Sequence, residues 1–327
     1  MAEGGAGQTE VYGVLCFGEC NIDVITPIDE IPVKGGCTFS SRAEINVGGS
    51  MLNTASALKA LDMRVSIISK IGRDLFGDIA FEYVEKCGIE TDKIIRSDYQ
   101  TGLAIGLVEP DGEKRWFAVR KNAADIHVLP EEVKDFAIPE YLFLSGVEIV
   151  EGRESREAAL SLAEKAKNMG RQVFLDPNIR VPSWALNADV YDAFEHVLPY
   201  TDVLLANEKE LIMLGSSENI KTAAMTIIDK GVRCVWLKMG DKGSSYFTAE
   251  ENLFFGPSDV KAVDTSGAGD AFNAAVIYSI SRHFSPAKTG VFANLYAGYT
   301  VSKVGTTSAL PSKLETANMI LKAERQS

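Results

Sequence analysis

Short runs that are apolar on both faces recur along this chain, each followed by a stretch with helical spacing, and that alternation most narrows the fold. "VYGVLCFG" precedes "NTASALKALD", and "RVSIISKIG" precedes "FGDIAFEYVEKCG", whose closing Gly88 suits a helix C-cap. The pattern continues through "YLFLSGVEI", "SREAALSLAEKAKNMG", "QVFLDPN", "VYDAFEHVLP", "DVLLANEKE", "KTAAMTIIDKG" and "RCVWLKMG". Strands of this kind need cover on both faces, and strands separated by helices pair in parallel. An α/β fold is expected, with a mostly parallel sheet between helical layers. The 327 residues, 46% of them hydrophobic, suffice to fill its core. No repeat, low-complexity tract or Pro/Ser-rich linker divides the chain, so residues 11–327 read as one domain behind a loose tail, residues 1–10.

Two segments depart from the pattern. "TGLAIGLVEPDGEKRWFAVRK" alternates around Asp111-Gly112, a hairpin turn signal, and about residues 24–46 carry β-prone pieces without a helix. Together, 24–46 and 101–121 predict a small β sheet beside the main one. A flap over a ligand, an ordinary decoration and a contact between two copies of the chain are all open readings.

The formal net charge of -12 comes with no long basic block. Binding to nucleic acid or to an anionic membrane lacks its usual electrostatic footprint, so neither is expected as a partner. Five cysteines, at 16, 20, 37, 87 and 234, form no CxxC pair, and only three histidines are available to complete a zinc site. A reducing, cytoplasmic setting is the simplest reading. "MAEGGAGQTE" lacks the basic start and apolar stretch of a signal peptide, and no apolar run approaches the about 20 residues of a spanning helix.

"VDTSGAGDAFNAAV", from Val263, sets Asp264 and Asp270 around a run of small residues that leads into an apolar helix. One reading is structural: Thr265 or Ser266 caps the helix, Gly267 and Gly269 shape a turn, and Asp270 favours the positive end of the dipole. The other is chemical. Small residues at a helix start let several amides face one anion, and a carboxylate beside that anion hole can take a proton from a hydroxyl attacking phosphorus. The GxxxxGK[ST] loop, HRD, DFG, GxSxG and HExxH are all absent.

"VDTSGAGDAF" resembles the second signature of the PfkB (ribokinase-like) family of carbohydrate kinases. "NVGGSMLNTASALKALDMRVSIISKIGRDLFGD" resembles the first, and "FGECNIDVI", "LDPNIR", "ANEKE" and "LKMGDKGS" fall in family order across about residues 11–315. The resemblance implies a ribokinase-like three-layer sandwich with a mostly parallel central sheet and a small β lid. It also implies ATP-dependent transfer of the γ-phosphoryl group to a primary hydroxyl of a sugar. Asp270 would be the general base, with Gly267, Ala268 and Gly269 forming the anion hole. Asp23, Gly48, Gly49 and Asn53 would hold the sugar. Asn207 and Glu210 match NxxE and would place Mg²⁺ and phosphates, Glu210 through water. Asn207 also suits a helix cap, and both uses can hold together. Lys238, Gly240, Gly243 and Asn294 would line the nucleotide.

The sugar is less determined. "FAVRKNAAD" and "DPNIRVPSW" resemble fructokinases and 2-keto-3-deoxygluconate kinases; in the keto-acid enzymes arginines at the positions of Arg120 and Arg180 face the substrate carboxylate, which suits a guanidinium fork, and fructokinases also carry arginines in these stretches. A tyrosine expected in the keto-acid enzymes is Ala118 here. A ketose or keto sugar acid is the expected substrate, with ribose, a nucleoside and a non-catalytic sugar-binding or regulatory role as alternatives. Some relatives hold K⁺ beside the anion hole: Asp264 is present for it, Ala309 replaces a side-chain oxygen, and the resemblance leaves K⁺ open. It leaves a homodimer through the lid open as well.

Overall fold

The runs apolar on both faces fold as buried strands. Gly13–Phe17 (β1) and Tyr141–Ser145 are buried at every residue. The computed structural model describes residues 13–112, 114–180 and 188–327. The expected tail and the second half of "DPNIRVPSW" lie outside the described residues.

After β1 come β2 (Asn21–Pro27), β3 (Glu44–Gly48), α1 (Ser50–Ala60), β4 (Arg64–Gly72), α2 (Leu75–Lys86), β5 (Ile94–Ser97), β6 (Leu103–Val108) and β7 (Lys114–Val119). The middle holds α3 (Pro130–Val133), β8 (Tyr141–Ser145), α4 (Val147–Glu151), α5 (Arg153–Asn168), β9 (Gln172–Asp176) and α6 (Ala188–Val197). Then follow β10 (Val203–Asn207), α7 (Glu208–Gly215), α8 (Ile220–Asp229), β11 (Cys234–Lys238), β12 (Ser244–Phe247) and β13 (Asn252–Phe255). Three helices close the chain: α9 (Ala268–Ser281), α10 (Pro286–Val301) and α11 (Lys313–Gln326).

The main sheet has nine strands in the order β13-β12-β11-β10-β9-β8-β1-β4-β5. Seven, from β11 to β5, run parallel, and β12 and β13 extend the edge by antiparallel pairing. Because side chains alternate across a strand, each strand feeds both faces. Val14, Cys16, Phe143, Phe174 and Trp236 pack with residues of α1, α9 and α10, whereas Leu15, Phe17, Leu142, Leu175 and Leu237 pack with α5, α7 and α8. Two cores on one sheet make the expected three-layer, ribokinase-like sandwich.

The departing segments form a separate mixed sheet, β3-β2-β6-β7. It begins at Asn21, three residues before the expected start, so Asp23 belongs to the lid sheet itself. Register opposes Asp23 to Asn46 and Ala104, Ala104 to Ala118, and Val108 to Lys114. The period of two then puts Asp23, Ala104, Ala118, Trp116 and Lys114 on one face. Trp116 lies over Gly106, whose missing side chain makes room for the ring.

Open parallel sheets bind ligands beyond the carboxyl ends of their strands. Here Glu19 follows β1, Asp176 ends β9, Asn207 ends β10 and Lys238 ends β11. The turn from β11 to β12 uses Gly243 at φ 96 and ψ -135, where a Cβ would collide with the Phe255 carbonyl. Gly243→Ala is therefore expected to cost about 1–3 kcal/mol of stability from backbone strain alone, read as a lower urea midpoint at unchanged m-value.

Candidate active site

The N-termini of α1 and α9 converge, and Asp270 stands between them. Gly267 occupies the N-cap of α9 at φ 76, and no side chain caps the helix. The capping role expected as one option for Thr265 or Ser266 is thus not filled: a left-handed N-cap needs glycine, and Ser266 turns its Oγ toward Lys114 instead. Asp270 Oδ1 accepts from Ser50 Oγ at 2.5 Å and Oδ2 from Asn53 Nδ2 at 2.9 Å. Burial raises the Asp270 pKa to about 6, against the downward pull of those two hydrogen bonds. Such a group is ionised at neutral pH yet basic enough to take a proton. Gly269 lies just before it, and a Cβ there would be 3.7 Å from Lys238 Nζ, so the small-residue turn is backed by a cation.

Asp23 packs on Gly48, where any Cβ would strike its carboxylate, and Gly49 adopts φ 111 with its Cα against the Glu19 carbonyl. Burial pushes the Asp23 pKa up to about 6, with Glu19 adding to the rise and Arg180 and Arg120 opposing it. Glu19 is fully buried; Oε1 accepts the Ser50 amide at 2.6 Å, while Oε2 has no hydrogen-bond partner among the described residues. Asn53 Oδ1 is likewise unpartnered.

The two arginines differ. Arg120 is buried, with Nε on Glu151 at 2.6 Å, one terminal nitrogen on Asp125 at 2.8 Å and the other on Asn21. Its fork is closed by its own chain. Desolvation works against the guanidinium, but Asp125, Glu151 and Glu148 hold its pKa above the usual arginine value. Arg180 is exposed, donates to Asn178 at 2.9 Å and stands 3.8 Å from Glu19.

Across the crevice, Lys238 Nζ donates to Asp176 at 2.9 Å and to Asn273 at 3.2 Å, and Asn273 donates to the same Asp176 oxygen at 2.6 Å. Burial disfavours the ammonium, yet Asp176 and Glu210 outweigh it and raise its pKa. Asn207 and Glu210 form a reciprocal capping box at the start of α7, and the second Glu210 oxygen accepts the Ile179 amide at 3.0 Å. Burial first, then Asp176, lifts the Glu210 pKa to about 7. Gly240 has open space around its Cα, whereas Asn294 is buried and donates to the carbonyls of Phe255 and Gly256 at 3.2 and 2.8 Å.

Asp264 is ringed by donors: the amides of Ser266 at 3.1 Å and Gly305 at 3.2 Å, and Lys114 Nζ at 3.1 Å. Burial would raise its pKa, but the Ser266, Gly305 and Lys114 hydrogen bonds hold it at about 2. An ammonium, that of Lys114, thus already stands beside one oxygen of this carboxylate. Among the described residues, no cluster of three or more His, Cys, Asp or Glu is placed to hold a metal ion.

Glu19, Ser50, Lys114, Asp176 and Asn273 were not among the residues singled out from the sequence. Glu19 and Asp176 follow or end apolar strands, a position that could have marked them. Ser50 and Asn273 lie one residue from Gly49 and three from Asp270, and Lys114 has only its place in the hairpin.

The pfkB family carbohydrate kinase pattern matches residues 13–313. A curated relative, probable fructokinase-4 of Arabidopsis thaliana, is 25% identical over 325 residues, spanning 96% of this chain and 98% of the relative. A ribokinase of Thermotoga maritima superposes with a TM-score of 0.76 at 27% identity, over 95% of this chain and 99% of that one. An E. coli ribokinase-fold protein solved with ATP and Mg²⁺ superposes at 0.83 with 24% identity, over 95% and 99%.

The Asp176–Lys238 pair yields a test of the crevice floor. Lys238→Met leaves a buried carboxylate uncompensated and is expected to cost about 3–5 kcal/mol, while adding Asp176→Asn should recover much of the loss. Urea denaturation of the two single variants and the double variant reads the coupling.

Proposed function

The chain belongs to the pfkB family of carbohydrate kinases, and from that premise we propose that it moves the γ-phosphoryl group of ATP to a primary hydroxyl of a neutral, fructose-like ketose. The carrying observation is Asp270: a half-buried carboxylate with raised pKa, one residue past a glycine-rich helix start, held by Ser50 and Asn53. In this reading the sugar hydroxyl displaces one of those donors and gives its proton to Asp270 as it attacks. The first-turn amides of α9, Gly267 to Gly269, take the charge of the phosphoryl group, with Lys238 behind them.

Asp23, Gly48, Gly49 and Asn53 serve the sugar, and the orphaned acceptors Glu19 Oε2 and Asn53 Oδ1 are what hydroxyl donors would satisfy. Asn207, Lys238, Gly240, Gly243 and Asn294 serve the nucleotide. Mg²⁺ suits the hard oxygens of Glu210 and Asp176. Both Glu210 oxygens already accept backbone amides, so contact through water fits this donor set better than direct ligation. The ion would offset phosphate charge.

A neutral ketose is favoured over a keto sugar acid because Arg120 is committed to Glu151, Asp125 and Asn21, leaving Arg180 alone to meet a carboxylate near Glu19 and Asp23. Ala118, in place of the tyrosine of the keto-acid enzymes, lies on the Asp23 face of the small sheet. The fructokinase relatives support the same choice. The small sheet serves as a lid, and Ile45 and Phe117 on it, with Phe39 in the β2–β3 connection, are all well exposed and would suit a second copy of the chain. All five cysteines are free thiols, in keeping with the cytoplasm, and no helix among the described residues is long and apolar enough to cross a membrane.

Asp270→Asn is expected to lower kcat by roughly 10²–10⁴ with nucleotide affinity nearly unchanged. In the wild type the base must be ionised, so kcat should fall as pH drops through about 6; a profile without that acid limb argues against the assignment. An ADP-release screen over fructose, 2-keto-3-deoxygluconate, ribose and adenosine reads the substrate. Fructose should lead, and a keto acid in first place would overturn the ketose reading.

A further inference from the structure

The hairpin between β6 and β7 delivers a cation to the anion hole. Lys114 opens β7 on the face that carries Asp23, and its Nζ lies 3.1 Å from Asp264 Oδ1 and 3.0 Å from Ser266 Oγ. Side-chain exposures of 26% for Lys114 and 14% for Asp264 leave little solvent to screen the pair. Asp264 also accepts the amides of Ser266 and Gly305. A Cβ on Gly267 would be 3.0 Å from Thr306, so the loop after α10 presses on the start of α9. One carboxylate thus joins the lid, the turn into α9 and the loop at 305–306.

That arrangement poses a problem of charge. Asp264 lies three residues before Gly267, where the anion hole begins, and a bare carboxylate there opposes the approach of phosphate. Lys114 cancels the charge only while the hairpin lies over the crevice. We propose that Lys114 is a positioning residue for phosphoryl transfer: by neutralising Asp264 and fixing Ser266, it completes the anion hole when the lid closes. This rests on the sugar-kinase reading above. With the lid raised, Asp264 repels the phosphates, so the site is built for transfer only when a covered sugar is present to receive it. The ammonium also stands where a monovalent cation would balance Asp264, so the wild type needs no K⁺.

The test compares wild type, Lys114→Met, Lys114→Arg, and Lys114→Met combined with Asp264→Asn. Lys114→Met should lose about tenfold or more in kcat, with sugar KM changing far less. Lys114→Arg should keep most activity, and removing the bare charge with Asp264→Asn should restore part of what Lys114→Met lost. Potassium or ammonium ions should raise the activity of Lys114→Met and leave the wild type flat. Independently of turnover, hydrogen exchange over residues 103–119 with sugar bound should be faster in Lys114→Met than in the wild type. Unchanged kcat, a loss confined to sugar KM, a K⁺-dependent wild type, or unaltered exchange would each overturn the proposal. If the wild type phosphorylates no sugar, the kinase reading fails, and the same exchange comparison made without sugar still decides whether Lys114 latches the lid through Asp264 and Ser266.

Discussion

Two helices begin at Asp270 without side-chain caps of their own, and the site depends on how each completes the other. Gly49 at φ 111 and Gly267 at φ 76 are the N-caps of α1 and α9. What satisfies these termini comes from other elements: Glu19 accepts the first amide of α1, and Ser50 and Asn53 from α1 hold the carboxylate in the first turn of α9. The two positive helix ends and the Ser50 and Asn53 hydrogen bonds oppose, without cancelling, the cost of desolvating a carboxylate there. The glycines are needed because the chains approach too closely for a Cβ; at Gly49 it would run into the Glu19 carbonyl. The contacts that pack the two helices are the same ones that hold the Asp270 carboxylate in a fixed direction.

Around this point the crevice collects acid. Asp125 and Glu148 are buried beside Arg120, and both have raised pKa values, first from desolvation; at Glu148 the neighbouring Asp125 adds to the rise, and at Asp125 the Arg120 guanidinium opposes it. Arg120 acts as an internal counter-ion to this group, much as Lys238 does for Asp176 and Lys114 for Asp264. Lys238 ends a strand of the main sheet, while Lys114 and Arg120 stand at the two ends of β7, so the charge balance holds only if the main sheet and the small sheet are both in place. A sugar rich in hydroxyl donors suits the acceptors left over, and an anionic sugar would meet the same acids as repulsion.

Much of the fold was legible because its strands are apolar on both faces, a pattern that α/β layering explains directly. Asp23, Asp270 and Glu210 were identifiable from their motifs, and the structure brings each to the same crevice. Other features depended on long-range placement. Whether Arg120 meets a ligand or its own chain is decided by Glu151, thirty-one residues away, and no local pattern carries that. Lys114 is one of several charges in its hairpin, and its partner is 150 residues distant. The capping option at Thr265 and Ser266 was locally sound and yielded to the left-handed Gly267. The start of β2 was placed late because Asn21 and Asp23 are polar, and strand propensity reads polar residues as loop.

The burial that tunes the crevice also weighs on the fold. Asp23, Asp270 and Glu210 have folded-state pKa values of about 6, about 6 and about 7, above those of an unfolded chain. The folded protein therefore holds protons that the unfolded chain releases. The stability these groups contribute is complete below about pH 4 and is lost as pH rises through their folded values. At neutral pH the crevice keeps Asp23 and Asp270 ionised, and Glu210 about half so, at the expense of stability. Ligands that donate hydrogen bonds or bring positive charge offset that cost, and they offset more of it where the carboxylates are ionised than where protons already occupy them. The same physical state, a desolvated carboxylate awaiting a donor, is what suits Asp270 to the proposed role of base and Asp23 to that of a grip for hydroxyls, and it would make the lid close more favourably over a bound sugar.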